Sequence, residues 1–240
     1  MPRTVNTETR AIRREAFVQA GLRLIQAKGY EQMSVQDVLD DLHASRGAFY
    51  HYFTSKRALL EAVVDHVVAA ALGTVAPITF EEGRSAISKL EGIFTGIAGW
   101  KADRRELMLA LVRVWYSDDN VLTRDKLRGH LMLSLVPMLA EIIAQGVEEG
   151  VMSPGSPDGA ARAIVSLLLG AQDAAIELFV ANQEEEVPFE VAVGRLAAYI
   201  EAIERVLGLP PGCLKLFNEE TLRHWFGPEV EKGPPIASRR

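Results

Sequence analysis

Cysteine occurs once in the 240 residues, as Cys213, so no disulfide can close within the chain. That excludes the stapled framework of small secreted domains and fits a reducing compartment. Long apolar runs are missing as well. None reaches the ~18 residues a membrane helix needs, so no span is expected. The opening MPRTVNTETR holds no apolar stretch for a signal peptide, and a cytoplasmic product is expected. Histidine is sparse: His43, His51, His66, His130 and His224 show no metal-ligand spacing, so no metal or cofactor is expected. No Ser/His/Asp order or functional acid pair stands out, Glu148-Glu149 and Glu184–Glu186 read as solvated, and no enzyme is expected. Cys213 reads as a small buried hydrophobe. Alternating Val, Ile and Thr runs bounded by turns are absent too, which leaves strands hard to place.

Basic charge is not in excess. With 26 Lys and Arg against 32 Asp and Glu the net charge is −6, which argues against a general polyanion binder. The distribution is uneven, however. Residues 1–65 carry nine basic and eight acidic side chains, net +1, and residues 66–240 carry 17 and 24, net −7. Arg3, Arg10, Arg13 and Arg14 face only Glu8 in the first 14 residues, a small basic feature on an acidic body.

What is abundant is helical periodicity. Residues 8–28 read as a helix with Ile12, Ala16, Phe17, Ala20, Leu24 and Ile25 on one face and Gly29 as its stop. Ser34, with Asp37 three residues on, starts a short helix over 35–41, and a turn near 42–44 leads to another from Ser45 to His51. Thr54 or Ser55 caps a fourth helix (55–72), and Gly73 and Pro77 predict a break at 73–80. Further helices are expected over 81–99, 103–116, 120–149 with a kink or division at Pro137, 158–181, 189–207 and, shorter, within 213–226. Residues 151–159 read as a loop and 227–240 as a mobile tail. The fold class is all-α: an N-terminal three-helix helix-turn-helix domain over 1–55, then a helical bundle over 56–226 for ligand binding and dimerisation.

Two short helices joined by a turn of three or four residues form the helix-turn-helix pattern, whose second helix lies in the DNA major groove. Val35, Val38, Leu39, Leu42, Phe49 and Phe53 are expected inward, which leaves Ser45, Arg46, Ala48, Tyr50 and His51 nearer the surface. Arginine can pair bidentately with guanine O6 and N7, and small residues let the backbone approach. Bland packed helix would have no use for an outward Arg and Tyr.

The residue order Ser34-Val35-x-Asp37-Val38, Ala44-Ser45-Arg46-Gly47, Phe49-Tyr50-His51-Tyr52-Phe53, Ser55-Lys56 and Leu59-Leu60 resembles the TetR-type bacterial transcription regulators over about residues 10–65. The resemblance implies that Ser34 caps and touches phosphate, that Arg46 contacts base or backbone, and that Tyr50, Tyr52 and Lys56 meet phosphate or pack. Arg10, Arg14, Val35, Ser45, Gly47, Ala48 and His51 complete the expected DNA-binding set. The chain departs from the family pattern at several positions, among them Gln36, which stands where a basic residue is frequent. His43 stands where Gly is usual in the turn, Thr54 replaces the common Pro, and Asp40 and Asp41 put acid on the second helix. Over 34–57 the charge is zero, so modest non-specific affinity and reliance on the Arg10–Arg14 region are expected.

A groove-reading dimer needs an interface. Residues 158–181 offer Ile164, Leu167, Leu168, Ala171, Ala175 and Leu178, and residues 189–207 offer Val193, Leu196, Ala197, Ile200, Ile203 and Leu207. Gly170, Ala171, Ala174 and Ala175 allow close helix approach, and a four-helix interface would impose a palindromic operator. The middle helices are expected to house a small, largely apolar ligand among Trp100, Met108, Leu111, Trp115, Tyr116, His130, Leu135 and Met138, with Arg113 a further polar candidate. The expected function is thus a ligand-released repressor. The alternative is a helical small-molecule- or partner-binding protein whose DNA binding has weakened, motivated by Asp40, Asp41 and His43.

Overall fold

The computed structural model describes residues 2–116, 121–184, 187–217 and 219–226, with side chains placed over 8–112, 124–182, 187–217 and 220–226. Those residues form ten helices and no strand: α1 (Pro2–Lys28), α2 (Val35–Leu42), α3 (Arg46–Tyr52), α4 (Lys56–Thr79), α5 (Ala86–Ala102), α6 (Arg105–Tyr116), α7 (Val121–Glu148), α8 (Pro157–Glu184), α9 (Phe189–Leu207) and α10 (Glu219–Phe226). The tail 227–240, most of the acidic stretch 184–186 and the side chains of Arg113, Trp115 and Tyr116 lie outside the described residues. The described residues divide into two compact units, one from 2–70 with those of 105–124, the other from 71–104 with those of 125–226. The first unit thus takes in α6 and most of α4, which run beyond residue 55.

In the first unit, Gly29 at φ 81° ends α1, its N–H bonded to Ile25 O at 2.9 Å. The core is Phe17, Val18, Ile25, Val38, Leu39, Phe49, Phe53, Leu59, Leu60 and Val63. Phe17 sets its ring edge against Phe49 at 5.7 Å and against Phe53 at 6.2 Å, joining α1 to α3. Each such side chain contributes roughly 1.5–3 kcal/mol by leaving water. Ile12 is 65% exposed and Ala16 is also outside, contrary to the face expected for α1. At 100° per residue Ile12 falls nearly opposite the stripe of Phe17, Val18, Gly21 and Ile25 that packs inward. Gly21 belongs to that stripe because a Cβ there would come 3.1 Å from Val63 and 3.2 Å from Leu59 of α4.

The second unit builds its core from the end of α4 with α5, α7, α8 and α9: Val75, Leu90, Ile93, Leu139, Ile143, Ile164, Val165, Ile203 and Leu207. The expected break at 73–80 does not occur, since α4 continues to Thr79 with Pro77 inside it. Pro77 forfeits one backbone bond, to Gly73, and the helix ends two residues later anyway; burying Val75 (1% exposed) in the core holds that last turn helical. Pro137 likewise lies within a continuous α7, on its exposed side. After α9, Gly208 (φ 70°) reverses the chain. The buried Glu204 carboxylate then accepts the N–H groups of Gly212 and Leu214, each at 2.9 Å, and Glu91 accepts Lys215 N–H at 2.9 Å. Between those anchors lies Cys213, half-buried, its thiol pKa pushed up by burial and by Glu204.

Stretches of α4, α7 and α8 are long and apolar enough to cross a membrane by length and composition: Lys56–Thr79, Arg124–Glu148 and Pro157–Asn182. Some of their apolar residues enter the two cores just described, for example Leu59 and Leu60, Leu139 and Ile143, and Ile164 and Val165, whereas Leu133 of α7 is exposed.

Candidate nucleic-acid interface

Two local devices shape the N-terminal reading head. Ser34 caps α2 in a complete capping box, with Asp37 N–H donating to Ser34 Oγ at 3.2 Å and Ser34 N–H to Asp37 Oδ2 at 2.7 Å. The Lys28 ammonium, 2.7 Å from Asp37 Oδ1, together with the Ser34 hydroxyl, holds that carboxyl far below the usual carboxylate range. At the other end of α2, His43 takes the left-handed conformation (φ 49°, ψ 41°) that the turn needs, the one positive-φ residue besides glycine among the described residues. Ala44 N–H bonds Leu39 O at 2.9 Å and closes the turn.

Ser45 then caps α3, accepting Ala48 N–H at 3.2 Å. Phe49 is fully buried and Phe53 nearly so, which fixes the roll of α3. Ser45, Arg46, Gly47, Tyr50 and His51 are exposed. Ala48 and Tyr52 are only partly exposed, and Tyr52 leans on the core at 5.8 Å from Phe17. Val35 packs on the same core. Arg10 and Arg14 are exposed on α1, and the Arg14 guanidinium lies 5.2 Å from the centre of the Phe53 ring. Ser55 caps α4 through Ala58 N–H at 3.1 Å. Lys56 is partly buried, its ammonium 4.2 Å from the Tyr30 ring centre and 3.4 Å from Glu31 O. Nothing in the sequence pattern pointed to that Tyr30 contact, because it joins α4 to the loop after α1.

The acid on α2 is tied back. Arg23 pairs with Asp41 at 2.6 Å, Lys28 with Asp37, and Gln36 donates to Asp40 at 2.8 Å. Arg10, Arg13, Arg46 and Arg57 enter no ion pair among the described residues. A capped, rigid α2 thus stands behind a short α3 that shows a guanidinium, a phenol and an imidazole to solvent.

Residues 17–63 match the profile described as bacterial regulatory proteins, tetR family. This N-terminal segment is thus similar to the DNA-binding domain of that family. Relatives among curated proteins include the uncharacterised HTH-type transcriptional regulator YvdT of Bacillus subtilis, 31% identical over 61 residues, 25% of this chain and 31% of that one. An uncharacterised HTH-type regulator of Lactococcus lactis is 40% identical over 55 residues, 23% of this chain and 28% of the relative. The matched segments therefore span about a third or less of these relatives. Solved structures share the TetR-like fold over more of the chain. FadR of Thermus thermophilus, a TetR-family repressor in complex with lauroyl-CoA, covers 81% of this chain and 92% of its own at TM-score 0.55 and 22% identity. The SmeT–triclosan complex covers 85% and 95% at TM-score 0.57 and 15% identity.

The residues expected to line a ligand site fall in different units. Met108 and Leu111 sit half-buried on α6 in the first unit, Leu111 against its core, while Trp100, His130, Leu135 and Met138 belong to the second. Leu135 is buried in that unit's core and Met138 packs against it. Trp100 carries the Arg104 guanidinium over its ring at 4.5 Å. One polar group escaped the sequence reading: Lys101 at the end of α5 donates to Gln172 of α8 at 3.2 Å, and burial pushes its ammonium below the ordinary lysine range.

Proposed function

We propose that the chain is a dimeric, sequence-specific transcriptional repressor, cytoplasmic, that a small and largely apolar ligand releases from a palindromic operator. The observation that carries this reading is the exposed row Arg46, Gly47, Tyr50 and His51 on α3, held out by the buried Phe49 and Phe53. Arg46 reads a base edge; Ser34, Tyr50, Tyr52 and Lys56 with Arg10 and Arg14 hold phosphate. The dimer forms through α8 and α9. Ile164, Ala171, Leu178, Leu196, Ile203 and Leu207 are spent on the protomer's own core, so the outer face with Ala163, Ser166, Gly194, Ala197 and Ala198 meets the second copy.

Residues of α4 belong to both units, and a ligand in the second unit acts on the reading heads through that helix. Its effect is limited to its differential affinity for the two head separations. The lauroyl-CoA and triclosan of the two solved relatives support an apolar ligand for this chain. The weakened-reader alternative keeps the exposed Asp40 charge as its motive, while the pairing of Asp41 with Arg23 and the place of His43 in the turn favour the reader.

Selection of bound DNA from a random pool, with wild type and Arg46→Ala in parallel, tests the proposal. A palindrome enriched by the wild type and lost by the variant is expected. No enrichment by the wild type at low salt overturns it.

A further inference from the structure

Between the end of α4 and the start of α5, wholly within the second unit, lies an open cleft of about 400 Å³. Its lining includes Thr79, Phe80, Glu82, Lys89 and Glu141. The floor is unusual for a surface cleft, because Lys89 is 6% exposed and Thr79 only 4%. The Lys89 ammonium donates to Thr79 O at 2.8 Å and to Gln145 Oε1 at 2.9 Å. An ammonium has three N–H groups, so one remains. Glu149 does not neutralise it. That carboxylate instead takes Ala86 N–H at the start of α5, at 3.1 and 3.2 Å, and the Gln145 amide. Thr79 Oγ1 is buried with no hydrogen-bond partner among the described residues. Two unused donors therefore belong to residues lining one cleft, and both are costly to leave unmet.

The rim has the opposite character. Glu82 and Glu141 are exposed carboxylates with no ion pair among the described residues, whereas Glu81 is held by Arg84 at 2.7 Å. Phe80 stands 71% exposed beside them. A simple anion suits the floor but meets two carboxylates on the way in. A simple cation suits the rim and leaves Lys89 and Thr79 as they were. A molecule with a carboxylate at one end and an ammonium at the other satisfies both.

We infer that this cleft binds a free amino acid with an apolar side chain. Its carboxylate accepts from Lys89 Nζ and Thr79 Oγ1, its ammonium pairs with Glu82 and Glu141, and its side chain lies against Phe80. The inference does not rest on the DNA-binding reading.

Calorimetric titration of the full chain with phenylalanine, N-acetylphenylalanine and phenethylamine tests it. Saturable binding of phenylalanine is expected, with each analogue, lacking one charge, about tenfold weaker. Glu141→Gln alters an exposed group and should leave thermal melting unchanged while weakening phenylalanine several-fold; Thr79→Val should weaken it similarly. The inference falls if phenylalanine gives no saturable heat up to about 10 mM. Equal binding of all three compounds, or full affinity in Glu141→Gln, overturns it as well.

Discussion

Lys28, the last residue of α1, places its ammonium 2.7 Å from the Asp37 carboxylate in the first turn of α2. That single contact joins two helices and completes the charge around a capping box. Because the Asp37 pKa is depressed in the folded chain, its stabilisation is fully present above the ordinary value of 3.8 and is lost as pH falls through the lower, folded value. Thermal melting of wild type and Asp37→Asn should therefore differ most near neutrality, and the two curves should converge as the pH drops below 3.8. A gap that stays constant down to the most acid samples would contradict the assignment.

His43 holds a left-handed backbone where glycine costs nothing. His43→Gly should stabilise the first unit by about 0.5–1 kcal/mol, the relief of strain exceeding the added freedom of the unfolded chain. His43→Val, β-branched, should destabilise it by more. Urea denaturation followed by circular dichroism reads both.

Arginines of α1 and α3 should separate by what they do to binding. Arg46→Ala is expected to lose about 1–3 kcal/mol on the selected operator and relax preference at one position of each half-site. Arg10→Ala and Arg14→Ala should weaken all sequences alike and each lower the slope of log K against log salt by about 0.9. A core fragment lacking residues 1–14 that still shows a steep slope would refute the second part.

For the proposed dimer, Ala198→Arg adds a long charged side chain to an exposed small position of α9. Sedimentation at micromolar concentration should show a monomer with unchanged helicity. An intact dimer would move the interface elsewhere.

Local signals were legible and non-local ones were not. The stop at Gly29, the Ser34–Asp37 cap and the inward Phe49 and Phe53 depend on residues within a few positions of one another, and each stands as the sequence implied. Pro77 and Gly73 misled because the break they favour is overridden by the burial of Val75. Ile12 misled because a periodic face can be drawn in two rolls, and only the partners on α3 and α4 decide between them. The Lys56–Tyr30 contact and the pairing of Arg23 with Asp41 span 26 and 18 positions, beyond any local pattern. The assignment of α6 to the first unit is equally non-local, and with it Met108 and Leu111 fall in a different unit from Leu135 and Met138.

The pairing of α2 acids with α1 cations also bears on exchange of parts. Recognition helices are attractive cassettes for retargeting, and a cut in the loop after Gly29 looks natural. A donor α2 without acids at positions 37 and 41 would strand Lys28 and Arg23 beside it, two positive charges whose pull on DNA ignores sequence. Such a chimera gains grip and loses discrimination. The transplantable piece therefore begins before Arg23, and in this chain the last turns of α1 belong to the reading head they support.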